Sequence, residues 1–167
     1  PFERALRAGL GGLFGAEGQD IGLVPNTTAG VIAVAQGIRW RPGDRVVVFE
    51  EEFPANVTPW QHAAAAHALE IVMLPLTGFG DPSGDGLARL KQALKQGVRL
   101  VAVSAVQFSP GLRMPLAAMS ALCHAHGASL CVDAIQACGA TPVDVQAEGV
   151  DFLCSGAHKW MMGLEGS

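Results

Sequence analysis

Short apolar runs alternate with longer stretches of helical spacing along this chain. The runs are Val46 to Phe49, Ile71 to Leu74, Leu100 to Val103, Ser129 to Val132 and Val150 to Leu153. They lack the alternation of a strand with one wet face, so they predict buried strands of a parallel sheet. Between them, Phe2 to Leu13, Ala29 to Ile38, Val57 to Leu69, Leu87 to Gln96 and Pro115 to His126 carry apolar residues at helical spacing. Pro59 and Pro115 fall early in their helices, where the missing amide is tolerated. Gly97 and Gly127 close two of the helices. Gly9, Gly11 and Gly12 weaken the first helix towards its end. Ile21 to Val24 is a further apolar run, broken by Pro25 and Asn26. Arg41 to Asp44 reads as a turn, Gly78 to Gly86 as a polar Gly-rich loop, Ser104 to Arg113 as a loop at a strand end, and Gly139 to Val145 as a connection.

Strands alternating with helices predict an α/β fold, a three-layer α/β/α sandwich around a mostly parallel sheet. Right-handed crossovers put helices on both of its faces. Ligands of such sheets sit at the carboxyl ends of the strands. The stretch from Ser129 to Trp160 is the centre of that expectation. One run delivers Asp133 at its end, and the next delivers Ser155, His158 and Lys159. An acid and an amine at neighbouring strand ends can face opposite ends of one flat ligand.

Composition narrows the picture. The chain has 167 residues, 50% hydrophobic and 16% charged, enough for one buried core. A net charge of −4 without a basic run argues against nucleic acid and anionic membrane as partners. No apolar stretch reaches the roughly 20 residues of a membrane helix. The first residues lack a basic region followed by an apolar one, so no secretory leader is expected. Cys123, Cys131, Cys138 and Cys154 form no C-x-x-C pair and read as reduced core residues of a cytoplasmic protein. The histidines show no ligand spacing, so no metal site is expected. The chain begins at Pro1 inside a helical pattern and stops at Ser167 with no closing element. The expectation is a piece of a longer polypeptide.

Asn26, Thr27 and Thr28 precede a helix. They can cap it, the commoner role, or they can present its N-terminus to a phosphate. An Asp after a strand is most often a cap, a Phe beside Pro is most often packing, and a surface His-Lys pair is most often solvated. Joint placement at strand ends is what singles out Asn26 to Thr28, Phe53, Ser104 to Gly111, Asp133 to Gln136 and Ser155 to Lys159. A dinucleotide-binding domain is disfavoured, because no G-x-G-x-x-G follows an early strand.

The segments V-D-A-I-Q-A, P-V-D-V and D-F-L-C-S-G-A-H-K-W resemble the PLP-dependent class V aminotransferases, as do N-T-T-A-G and E-F-P-A-N-V-T-P-W. That family includes cysteine desulfurases, selenocysteine lyases, kynureninases, serine–glyoxylate aminotransferases and isopenicillin N epimerase-like enzymes. The resemblance is collinear over nearly the whole chain. D-x-x-Q followed by S-x-x-H-K is its specific part. It implies a PLP-dependent transferase (fold type I) large domain over residues 1–167, truncated at both ends, with an N-terminal segment and a C-terminal small domain absent. The implied cofactor is pyridoxal 5'-phosphate. Lys159 would form the Schiff base and later shuttle the α-proton. Asp133 would pair with the ring nitrogen, and Gln136 would hydrogen-bond the phenolic oxygen. Thr27 and Thr28 would hold the phosphate with Ser155 and His158; the family's serine sits three before the lysine, where this chain has Gly156.

Phe53 aligns with the ring-stacking residue, a histidine in desulfurases. Phe can only stack. With Gln107-Phe108 in place of the desulfurases' Ser-Asn, this favours an aminotransferase- or epimerase-like enzyme acting on a small amino-acid substrate. The alternatives are a cysteine desulfurase or selenocysteine lyase, and an inactive PLP-binding fragment. The resemblance further implies a homodimer at full length, whose partner subunit completes the phosphate site.

Overall fold

The structure is a computed structural model that describes residues 1–81 and 84–164. Positions 82 and 83, within the expected Gly78 to Gly86 loop, and positions 165–167 lie outside the described residues. The helices are α1 (Phe2–Phe14), α2 (Thr27–Gly37), α3 (Thr58–His67), α4 (Gly86–Leu94) and α5 (Leu116–Ala125). The strands are β1 (Arg45–Phe49), β2 (Glu70–Leu74), β3 (Val98–Ser104), β4 (Ser129–Asp133) and β5 (Phe152–Cys154). They form one parallel sheet in the order β2-β1-β3-β4-β5.

The expected three layers are present, and the strand period explains them. Val46, Val48, Leu100, Ala102, Cys131 and Cys154 face one side, against Val31 and Ala35 of α2 and Trp60 and Ala63 of α3. Val47, Phe49, Val101, Val103, Leu130 and Val132 face the other, against Phe14 of α1, Leu90 and Leu94 of α4, and Met119 and Cys123 of α5. With both faces covered, every inner-strand position can be apolar, which is why the runs do not alternate.

The departures from expectation have local causes. Helix α1 runs through its glycines to Phe14 and ends at Gly15 in the left-handed region (φ 69°). Gly11 serves close packing, since a Cβ there would lie 2.6 Å from the carbonyl oxygen of Ala16. Helix α2 starts at Thr27 instead of Ala29, because Asn26 Oδ1 accepts the Ala29 amide at 2.8 Å. This settles which of the three polar residues is the cap. The last strand begins at Phe152, not Val150. Asp151 is occupied with the neighbouring strand: its carboxylate accepts the Leu130 amide at 2.7 Å and its own amide donates to the Leu130 carbonyl at 3.1 Å. Elsewhere the element ends shift by a few residues.

The sheet order reverses between β1 and β3, since β1 is followed by a strand on one side and the chain then returns to the other. Crevices outside such a reversal are where open α/β sheets hold ligands. The segments leaving β4 and β5 also meet in this region. Gly139 has φ 90°, and a Cβ there would sit 2.5 Å from the carbonyl oxygen of Trp160. Gly139→Ala would meet both a left-handed backbone and a backbone clash. It should cost at least about 2 kcal/mol, read by urea unfolding, and should increase amide exchange at residues 157–163 more than in the sheet.

Candidate active site

The carboxyl ends of three strands are level. Ser104 pairs with Asp133 across β3 and β4, and Asp133 pairs with Cys154 across β4 and β5. Asp133 is the last residue of β4 and only 2% exposed. Its Oδ1 accepts the Ile135 amide at 3.0 Å. Burial pushes its pKa from the ordinary 3.8 up to about 6, and the nearby Glu52 charge adds to the rise. The Ile135 amide and the Lys159 ammonium act in the opposite direction. The Lys159 ammonium is therefore close enough to act on Asp133 electrostatically.

Lys159 follows β5 in a closed turn, in which the Met162 amide donates to the Lys159 carbonyl at 3.0 Å and the Gly163 amide to the Ala157 carbonyl at 2.8 Å. Its Nζ lies 5.8 Å from the centroid of the Phe53 ring. Pro54 restricts the preceding residue to extended backbone, and Phe53 adopts φ −62°, ψ 140°. Phe53 and Phe108 meet edge to face, with centroids 5.4 Å apart and an interplanar angle of 76°. Phe53 is 46% exposed, so its ring is open to a stacking ligand.

Gln136 accepts the Trp160 indole N–H on its Oε1 at 3.1 Å. Indole can only donate. It therefore fixes the amide's oxygen end and leaves the Nε2 end to donate to an oxyanion. Trp160 belongs to the matching motif, but nothing in the spacing revealed this role.

Thr27, Ser155, Gly156 and His158 form a third group. Thr27 is buried, and its Oγ1 has no hydrogen-bond partner. A Cβ on Gly156 would lie 3.1 Å from Thr27 Oγ1 and 3.1 Å from His158 Nδ1. Two polar side chains thus converge over a residue that has no side chain. The Ser155 hydroxyl, beside the Cys138 thiol whose ionisation it eases, makes no hydrogen bond of good geometry. Of the first amides of α2, that of Ala29 is taken by Asn26 Oδ1, while those of Thr27 and Thr28 have no acceptor within the helix. Gly30 lets α2 come close to β5, since a Cβ there would be 3.2 Å from Cys154 Sγ. Unsatisfied hydroxyls, open amides and a helix N-terminus fit a phosphate. Thr28 is different. Its side chain is exposed and lines a groove of about 540 Å³ between α2 and α3, with Ile32, His62 and His67. The structure does not bring that hydroxyl to the group; only the Thr28 backbone lies at the α2 N-terminus, because adjacent helical residues point about 100° apart.

Sequence reasoning missed Glu52. It follows Glu51, whose left-handed backbone (φ 61°) turns the chain after β1. Glu52 is buried and accepts from the Ser104 amide (2.6 Å), Ser104 Oγ (2.5 Å), Gln107 Nε2 (2.8 Å) and Asn56 Nδ2 (3.3 Å). Its only sequence signal was being one of three consecutive acids.

The fold is a three-layer α/β one, with an amine, a buried acid and a group of unsatisfied hydroxyls at one set of strand ends. The chain belongs to the aminotransferase class-V family, whose model matches residues 3–167. A cysteine desulfurase of Dickeya dadantii (strain 3937) is 38% identical over 147 residues, covering 86% of this chain and 35% of that protein. One of Klebsiella pneumoniae subsp. pneumoniae is 37% identical over 146 residues, covering 84% of this chain and 35% of that protein. The chain thus spans about a third of the length of these curated relatives. Among solved structures, the cysteine desulfurase CsdA (S-sulfonic acid) of Escherichia coli superposes with a TM-score of 0.89 at 27% identity, over 98% of this chain and 41% of that one. A C-DES mutant with glycine covalently linked to its PLP cofactor superposes with a TM-score of 0.90 at 28% identity, over 98% of this chain and 43% of that one.

Asp133 makes a testable contribution to stability. Its pKa is raised in the folded state, so its stabilisation is full below about pH 4 and is lost as pH rises through about 6. The shift from 3.8 to about 6 corresponds to on the order of 3 kcal/mol lost by neutral pH. Asp133→Asn should remove that loss. Urea unfolding of both proteins without ligand, at about pH 4 and about pH 7, should show the difference in their pH dependence.

Proposed function

We propose that the protein is a PLP-dependent enzyme acting on an amino acid through Lys159, as an aminotransferase- or epimerase-like member of its family. The observation that carries this reading is that the Lys159 amine lies 5.8 Å from the centroid of the exposed Phe53 ring and acts electrostatically on the buried Asp133 carboxylate. Bound there, PLP would supply an aldehyde that captures amines and a ring that withdraws electrons from a substrate's α-carbon.

This chain's residues would do the rest. Lys159 Nζ would hold the cofactor covalently, and once substrate released it would take and return the α-proton. Asp133 would keep a proton on the ring nitrogen. A cationic partner is the compensation a dry carboxylate of raised pKa lacks. Gln136 Nε2 would donate to the phenolic oxygen, held in place by Trp160. Thr27 Oγ1, Ser155 Oγ, His158 and the first amides of α2, that of Thr28 included, would hold the phosphate. Phe53 would cover the ring face without taking part in proton transfer.

The relatives named above favour a second reading, cysteine desulfuration. Against it, Phe53 stands where desulfurases carry an acid–base histidine. The same proposal includes a homodimeric whole protein with a small-molecule amino-acid substrate, without nucleic acid or membrane as partner. It also places the protein in the cytoplasm, supported by four unpaired cysteines.

Added PLP should give the protein a visible absorption band, and borohydride reduction should fix the cofactor through denaturation in the parent protein but not in Lys159→Ala. A protein that stays colourless with excess PLP would defeat the proposal. Sulfide release from cysteine, with no amino-group transfer or racemisation of other amino acids, would shift the assignment to the desulfurase reading.

A further inference from the structure

We infer that Glu52 and Gln107 form a clamp that positions the Phe53–Phe108 pair beside Lys159. The clamp stands on geometry; its consequence for a bound ring rests on the PLP reading above. Glu52 immediately precedes Phe53, and Gln107 immediately precedes Phe108. The two polar residues are buried, Gln107 to 1% exposure, and are joined at 2.8 Å. The two rings are half exposed and touch edge to face at 5.4 Å. A single peptide bond therefore separates each end of a buried hydrogen bond from each member of an aromatic wall.

Neither loop is fixed by the rings alone. Two half-exposed phenylalanines bury too little surface to hold two strand-end loops in register. The clamp has deeper anchors. Glu52 also accepts from the Ser104 amide at the end of β3 and from Asn56, whose Oδ1 accepts the Trp60 indole N–H at 3.3 Å. Gln107 is tied within its own loop by its amide to the Leu112 carbonyl at 2.9 Å. All four of Glu52's partners donate, which suits a carboxylate as the hub.

Packing does not explain Gln107. Its Oε1 is buried without a hydrogen-bond partner among the described residues. A leucine would fill similar space with no orphaned acceptor. What the amide adds is the bond to Glu52, and that bond leads to Phe53. Gln107 is thus a positioning residue, acting on the ring face through Glu52 and Phe108.

Two variants test this: Gln107→Leu, which removes the donor, and Gln107→Glu, whose carboxyl can donate to Glu52 only while it holds a proton. The first readout is the nuclear Overhauser effect between the Phe53 and Phe108 rings in the protein without cofactor. It should be present in the parent, absent from Gln107→Leu at preserved cooperative melting, and in Gln107→Glu present at acid pH and lost as pH rises. The second readout is the circular dichroism of bound PLP, which reports a fixed ring orientation. It should fall by more than about half in Gln107→Leu, with PLP affinity about tenfold weaker. Rings that still touch in Gln107→Leu would overturn the clamp whatever the cofactor does. Rings that separate in that variant, in a protein that takes up no PLP, would support the clamp and defeat the PLP reading instead. Should Gln107→Leu fail to fold, Gln107→Glu decides: a ring–ring Overhauser effect that does not weaken as pH rises would overturn the clamp, and one lost as pH rises would support it.

Discussion

The site depends on the parallel register that sets Ser104, Asp133 and Cys154 level at the ends of β3, β4 and β5. A slip of one residue in β4 would exchange the two faces of that strand. Leu130 and Val132 would leave the α4–α5 side for the α2–α3 side, and Asp133 would move off the strand end. The apolar packing on both faces therefore fixes the position of the one acid that closes the strand. The neighbours inherit that precision. The Ser104 amide, beside Asp133 in the ladder, is the donor that Glu52 uses. Ser155 comes directly after Cys154, so the loop carrying His158 and Lys159 starts from the same line.

Two buried carboxylates share this region, and their surroundings differ. Glu52 is surrounded by four donors from β3 and two loops. Asp133 accepts one backbone amide, and its pKa is pushed up to about 6, mainly by burial. The first group is satisfied by the protein and organises loops. The second is left dry and next to a like charge, a costly state that folding alone does not require. A cation brought into the crevice would relieve it. The difference in hydrogen bonding between the two acids separates a structural residue from one suited to a ligand, although both are nearly inaccessible to solvent.

Much of the fold was legible because a doubly covered parallel sheet writes itself as unbroken apolar runs, as in Val46 to Phe49 and Leu100 to Val103. What the pattern missed were polar side chains that act on backbone. Asp151 shortened β5 by binding the Leu130 amide, and Asn26 started α2 early through the Ala29 amide. Neither bond has a periodic signature. The site was legible where motif and strand end coincided, at Asp133 and Lys159. It was not legible at Glu52, since nothing in three successive acids says which one turns inward; the left-handed backbone of Glu51 decides that. Thr27 and Thr28 look equivalent in sequence, yet successive helical residues diverge in direction, and only Thr27 is buried.

Three glycines explain how separate segments reach one small volume. Gly30 brings α2 against Cys154, Gly139 brings the turn after β4 against the backbone of Trp160, and Gly156 leaves room between Thr27 Oγ1 and His158 Nδ1. At Gly139 a methyl group would overlap the backbone of Trp160 at 2.5 Å, and at Gly30 and Gly156 it would press on neighbours at 3.2 and 3.1 Å. Without the approach at Gly30 the α2 N-terminus would lie farther from Ser155, and without the approach at Gly139 Trp160 could not reach Gln136. Side chains supply the chemistry of this crevice, but its dimensions are set at positions with none. A spacing such as S-G-A-H-K is informative for that reason: the serine, histidine and lysine carry polar groups, and the glycine allows the first two to share a site with a helix end.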